Sequence, residues 1–210
     1  MTEELLYLWF GMISRMTHTV KMNVAMKYGG IRGLWNTSEE QLRDELTQAQ
    51  ADGFLEHRDA GKVAAYAEEL RRNDITYIYP GHKLYPGKLY DIPDPPMLLF
   101  AAGDVDVLAD LDPAVAVVGA RKASVYGREA ADRLSGELAA SGVTIVSGMA
   151  LGIDGAAHRA AMKAGGKTVA VLGSGINVPY PRENYDIYHD IRNGGGVVLS
   201  ECGLRDWRFT

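Results

Sequence analysis

Ser147-Gly148-Met149-Ala150-Leu151-Gly152-Ile153-Asp154 closes one β-branched run and opens a helix, and two other stretches of the chain repeat the same design. Upstream, Val117-Val118 leads into Gly119-Ala120-Arg121-Lys122-Ala123-Ser124. Downstream, Val171-Leu172 leads into Gly173-Ser174-Gly175-Ile176-Asn177. Strands read over 114–118, 143–146, 168–172 and 196–199, alternating with helices over 125–141, 153–164 and 184–191. Continuous apolar strands between amphipathic helices predict a mainly parallel sheet with helices on both faces. In such α/β folds the small-residue loops collect at the carboxyl edge of the sheet, where helix N-termini offer free N–H groups to an anion.

Upstream of this region the pattern changes. Residues 1–71 read as a small helical domain. Leu5, Leu6, Trp9 and Ile13 recur at helical spacing. Thr19 is placed to cap a second helix that Gly29-Gly30 stops. Thr37 with Glu40 forms a capping-box pattern, and a last helix runs from about Lys62 to Arg72. Residues 73–112 form a structured bridge: Ile75–Tyr79 and Met97–Ala101 read as strands, and Pro80-Gly81, Pro86-Gly87 and Pro93-Asp94-Pro95-Pro96 mark turns. Two domains are therefore expected, 1–71 and 72–210.

Bulk properties narrow the function. A formal net charge of −5 excludes a generic polyanion binder, so any nucleic-acid contact must come from a local basic pocket. One cysteine, Cys202, excludes an intrachain disulfide and a cysteine-rich metal site, which suits a reducing cytoplasm. The start of the chain, with Glu3 and Glu4, is unlike a signal peptide. No apolar run approaches a membrane span.

Each loop carries two readings. Gly119-Ala120-Arg121 lets a ligand approach the backbone and offers a planar fork of donors suited to phosphate. It is equally a tight turn with a surface arginine, and the residues alone leave both open. Asp154 is placed to cap the helix over 153–164. His158, one turn later, makes an Asp/His pair whose spacing invites a catalytic reading, but it sits among Ala156, Ala157, Ala160 and Ala161 and reads rather as a packing or hydrogen-bonding residue. Arg182, just before a helix, is mildly unfavourable for the helix dipole, which argues for a ligand role. Tyr185 is placed to stack on a base, whereas Tyr180 reads as packing its loop on the sheet. No nucleophile elbow, Walker lysine or Gly-x-Gly-x-x-Gly loop is present.

These blocks resemble the DNA processing protein A (DprA, or Smf) family. The resemblance rests on Val117–Arg121, Ser124–Gly127, Val146–His158, Val171–Ile176, Tyr180–Asn184 and Leu199–Glu201, in the family's order and spacing. Tyr85-Pro86 and Ile92–Pro96 look like the entry to its extended Rossmann-like domain, and residues 1–71 correspond to its helical SAM-like domain. The resemblance implies a cytoplasmic bacterial protein that binds and protects single-stranded DNA and loads RecA in natural transformation and recombination. It implies no enzymatic activity, no cofactor and no metal, and association into a homodimer. It places DNA contacts at Arg121, Arg182 and Tyr185. With the loop residues, the expected DNA-binding set is Gly119, Ala120, Arg121 and Ser124, then Gly148 and Gly152, then Gly173, Ser174, Arg182, Asn184 and Tyr185. The family pattern continues beyond Ser200-Glu201, whereas this chain ends at Trp207–Thr210. That implies a C-terminally truncated member, a fragment or a chain that ends early by nature, with a sheet incomplete on one side and an unpaired edge that favours association.

Two other readings stand beside this one. A nucleotide-processing enzyme of the phosphoribohydrolase type needs a Pro-Gly-Gly-x-Gly-Thr loop followed by a glutamate, which Gly173-Ser174-Gly175-Ile176 lacks. The other is an interaction remnant without DNA binding.

Overall fold

A computed structural model of the chain describes residues 1–13 and 16–205. They divide into two compact units: Met1–Asn73 with Gly87–Leu98, and Asp74–Pro86 with the residues from Leu99 onward. The end of the chain at Trp207–Thr210, on which the expectation of a truncation rests, lies outside the described residues.

The first unit is helical: α1 (Glu3–Met12), α2 (His18–Lys27), α3 (Ile31–Asn36), α4 (Glu39–Glu45), α5 (Gln48–Glu56) and α6 (Ala60–Arg72). Side-chain caps set most of the starts, but not at the positions read from sequence. Thr17, whose backbone is extended, accepts from Val20 N and caps α2, while Thr19 lies inside the helix. Ser38 caps α4, and the Thr37 hydroxyl instead donates to Gly33 O of α3. The capping box forms at α5, between Thr47 and Gln50. Gly29 and Gly30 take positive φ and Gly30 N donates to Ala25 O at 2.8 Å, which ends α2 as expected. The helices α3 and α5 were not legible as separate elements. The core gathers Trp9, Phe10 and Phe54, with Trp35 edge-on to Trp9 at 4.9 Å. Buried Lys21 donates to Phe10 O and Ile13 O, satisfying carbonyls at the end of α1.

The second unit is built on a mixed sheet of β1 (Ile75–Ile78), β2 (Leu99–Gly103), β3 (Ala114–Ala116), β4 (Thr144–Ser147), β5 (Thr168–Leu172) and β6 (Gly196–Ser200). Its helices are α7 (Val125–Ala140), α8 (Ile153–Lys163) and α9 (Tyr185–Asp190), and helices lie on both sides of the sheet, as a Rossmann-like fold requires. Strand order is β1-β2-β6-β5-β4-β3. The four strands β3 to β6 run parallel, and β2 is antiparallel to both β1 and β6. Among the described residues the sheet edges are β1 and β3, and the last strand is interior. That is why β6 is buried throughout while β3 leaves Val115 exposed.

Small residues let α7 and α8 sit close to the sheet. Ala139, Ala157 and Ala161 pack on Ile145, with Val117 and Leu138 at the margin. A parallel arrangement puts the ends of β3, β4 and β5 at one edge, so the three loops read from sequence emerge together.

His158 is the buried polar group of this core. Its Nδ1 shares a 2.7 Å hydrogen bond with Thr168 Oγ1, whose hydroxyl donates to Ile145 O, so the imidazole nitrogen donates to the hydroxyl. Nε2 has no partner among the described residues. The packing role read from sequence fits this geometry. Burial lowers its pKa from 6.5 to about 4. The folded chain thus binds a proton less readily than the unfolded chain. Stability from this site is complete above pH 6.5 and falls as pH drops toward 4, by on the order of 3 kcal/mol. Denaturant unfolding of wild type and His158→Gln across pH 7 to 4 tests this: the substitution should flatten the profile over that window, and an equally steep profile would place the titration elsewhere.

Candidate functional site

The site begins with one carboxylate. Asp154 is buried in the first turn of α8, but it does not cap that helix as expected. Its Oδ2 reaches back and accepts from Gly148 N at 3.1 Å and, at longer range, from Ala150 N at 3.4 Å. The cap position is Gly152 instead, at φ +82. The physical reason is space. A Cβ on Gly152 would collide with the carbonyls of Ala120 and Arg121, which lie directly on it. Gly119 likewise rests on the Ile153 side chain, 2.7 Å from where its Cβ would be. These two glycines let the first loop settle on the start of α8.

Asn184 holds the second loop from the other side. It is buried, and its Nδ2 donates to Met149 O at 2.8 Å and Ala150 O at 2.9 Å. Ser147 Oγ donates to Val117 O, tying β4 to the strand beside it. In the third loop Ser174 Oγ donates to Val178 O, and Ser200 Oγ donates to Ser174 O. Ser124 caps α7 by accepting from Gly127 N. The polar side chains of Ser124, Ser174 and Asn184 are therefore engaged in shaping loops.

This changes the electrostatics expected from sequence. The start of α8 is not an open anion cradle. Ile153 N points to Ala120 O and Gly155 N donates to Ala150 O, while Asp154 places its own anion among the loop amides. Attraction for an external anion falls to side chains. Arg121 and Arg182 are both exposed and have no ion-pair partner among the described residues.

Two cavities meet at the loops. The smaller, about 120 Å³, is lined by Arg121 with Gly148, Ala150, Gly173, Ser174 and Tyr180. All three loops contribute to it. The larger, about 670 Å³, lies between the starts of α7 and α8 and is lined by Arg128, Glu129, Asp132, Gly155 and Arg159. Arg121 and Leu151 line both. Gly152 and Asn184 line the larger cavity.

Gly119, Ala120 and Ser124 support the first loop without lining either cavity, and Arg182 and Tyr185 do not line one either. Arg182 sits on the exposed turn after cavity-lining Pro181. Tyr185 is half-exposed, and its ring tilts against His189 at 4.3 Å. Tyr180, read from sequence as a packing residue, is half-exposed and lines the smaller cavity. Arg128 and Arg159 were missed. Arg128 Nη1 donates to Ala123 O, and Arg159 makes a two-pronged pair with Asp186 of α9, holding that carboxyl below its ordinary range. The only sequence signal for Arg128 was its place one turn after Ser124.

Loop shape in this arrangement depends on Asp154. Asp154→Ala should destabilise the chain by about 2 kcal/mol, since it removes bonds between a buried carboxylate and backbone N–H groups. Asp154→Asn, which keeps an acceptor, should recover part of that loss. Thermal or denaturant unfolding of the pair tests this, and equal stability of Asp154→Ala and wild type would remove the carboxylate from its central place.

The family model for DNA recombination-mediator protein A matches residues 76–206. Protein Smf of Escherichia coli is 40% identical over 155 residues, covering 70% of this chain and 41% of that protein. The DNA processing protein DprA of Streptococcus pneumoniae is 45% identical over 119 residues, 57% of this chain and 41% of its own length. The chain thus spans less than half the length of these relatives. Among solved structures, the X-ray structure of DprA from S. pneumoniae matches 97% of this chain and 68% of its own, with a TM-score of 0.72 at 29% identity. A structure of DprA from Helicobacter pylori, described by its single-stranded DNA binding mode, matches 65% of this chain and 58% of its own, with a TM-score of 0.54 at 29% identity. By the extent of the family match and the agreement of fold, this chain belongs to the DNA recombination-mediator protein A (DprA/Smf) family.

Proposed function

We propose that this chain binds single-stranded DNA in the smaller cavity and that Arg121 is the phosphate contact. One observation carries the reading: an exposed arginine without an ion-pair partner among the described residues lines a cavity to which all three loops contribute. Gly148, whose missing side chain makes room for the Asp154 carboxylate, and Gly173 complete the wall of the cavity. Arg182 adds a second cation on the exposed turn after Pro181. The relative from H. pylori is described as a single-stranded DNA binder, which supports the same reading here.

Tyr180 supplies the stacking surface in this reading, being the aromatic that lines the cavity. Tyr185 extends the surface along α9. The loop residues Gly119, Ala120, Ser124, Gly152, Ser174 and Asn184 act by shaping the site. The wider role is DNA processing in recombination: protecting incoming single strands in the cytoplasm and handing them to RecA in natural transformation, as a homodimer and without catalysis. Among the described residues no helix is long and apolar enough to cross a membrane, and no cluster of histidine, cysteine and carboxylate side chains could hold a metal ion.

Fluorescence anisotropy with labelled oligo-dT across a salt series tests the reading. Arg121→Ala and Arg182→Ala should each weaken binding by about tenfold. Each should also reduce the log–log salt slope by about 0.7, as expected for one phosphate contact on a single strand. Tyr180→Ala should cost about 1–3 kcal/mol and leave the slope nearly unchanged. Arg72, exposed and paired with Glu68 on α6, is the control. If Arg72→Ala weakens binding as much as Arg121→Ala, attraction is diffuse and the pocket reading fails.

A further inference from the structure

We propose that the larger cavity is a base pocket that favours a base carrying an exocyclic amino group, an inference that rests on the single-strand reading above. The two cavities share Arg121 and Leu151 in their walls. A strand whose phosphate is held by Arg121 therefore has a neighbouring nucleotide over the larger space. That space has more than five times the volume of the first, about 670 Å³ against 120 Å³.

Its chemistry suits a base better than a phosphate. Arg121, Arg128 and Arg159 line it, but so do Glu129 and Asp132. Arg159 is already neutralised by Asp186. The charges balance, and two carboxylates with no ion-pair partner among the described residues would repel a phosphate entering beside them. The same carboxylates accept hydrogen bonds from amino groups on a base edge. On the α8 side the lining includes small residues. Gly152, Gly155 and Ala156 carry no bulk, and Gly155 is closely backed by Asn184, 3.1 Å from where a Cβ would sit. A flat ring can lie on such a surface with its edge toward α7. Cytosine offers the carboxylates its N4 amino group, whereas thymine presents a carbonyl oxygen at the same place.

Oligo-dC and oligo-dT of equal length, compared by anisotropy with the whole chain at neutral pH, give the test. Wild type should bind oligo-dC about fivefold more tightly than oligo-dT. Asp132→Asn and Glu129→Gln, both at exposed positions of α7, should together bring that ratio close to one. Arg121→Ala should weaken both homopolymers alike and leave the ratio in place. Equal binding of the two homopolymers by wild type, or a preference that survives the double substitution, overturns the base pocket while leaving the single-strand reading intact. Failure of wild type to bind either homopolymer overturns both.

Discussion

The site depends on a buried carboxylate that turns back on its own loop. Asp154 reaches the amides at 148 and 150, and the chain between them has little freedom once those bonds form. Asn184 fixes the carbonyls of Met149 and Ala150 from the third loop. Met149 is consequently buried at φ +60, a conformation that costs a non-glycine residue free energy and persists because its surroundings determine it. The second loop becomes the fixed surface on which the first and third are placed.

That arrangement decides where positive charge must come from. Loops at the ends of parallel strands commonly use helix amides to hold anions. Here the amides of the second loop already have an internal anion, and the start of α8 is covered by Ala120. A chain with a net charge of −5 has no general attraction for a polyanion. The arginines at this edge, beside the exposed Lys122 of the first loop, differ in availability. Arg159 is paired with Asp186, and Arg128 has one donor on Ala123 O. Arg121 and Arg182 have no such engagement among the described residues.

The alternation of strand and helix was legible because it is a property of local periodicity. β5 lies at 168–172 as read, and β4, α7 and α8 differ from their readings by about one residue. For Arg121 the residues alone left a ligand contact and a surface arginine equally open, and what the structure adds is its exposure at the wall of both cavities. Capping was less legible. Thr17 and Thr19 are chemically equal, and only backbone dihedrals separate cap from helix interior. The direction of Asp154 depends on Gly152 at φ +82, which no side-chain pattern reveals. Tyr180 and Arg128 were missed for another reason: whether such a side chain lines a cavity depends on how three loops fall together, and that is a tertiary fact.

The polar residues at this edge fall into two physical groups. Ser147, Ser174, Ser200, Asp154 and Asn184 are buried, and each is bonded to loop or strand backbone. Arg121, Arg182, Tyr180 and Tyr185 stand outside that lattice and are exposed. A buried lattice of this kind costs stability when a member is removed, because a backbone donor or acceptor is left without its partner. An exposed arginine costs little stability when removed, because water replaces it. Shape and attraction are thus assigned to different side chains. Any ligand at this edge meets a surface whose loops are already fixed, so less ordering opposes binding there than at a mobile loop cluster.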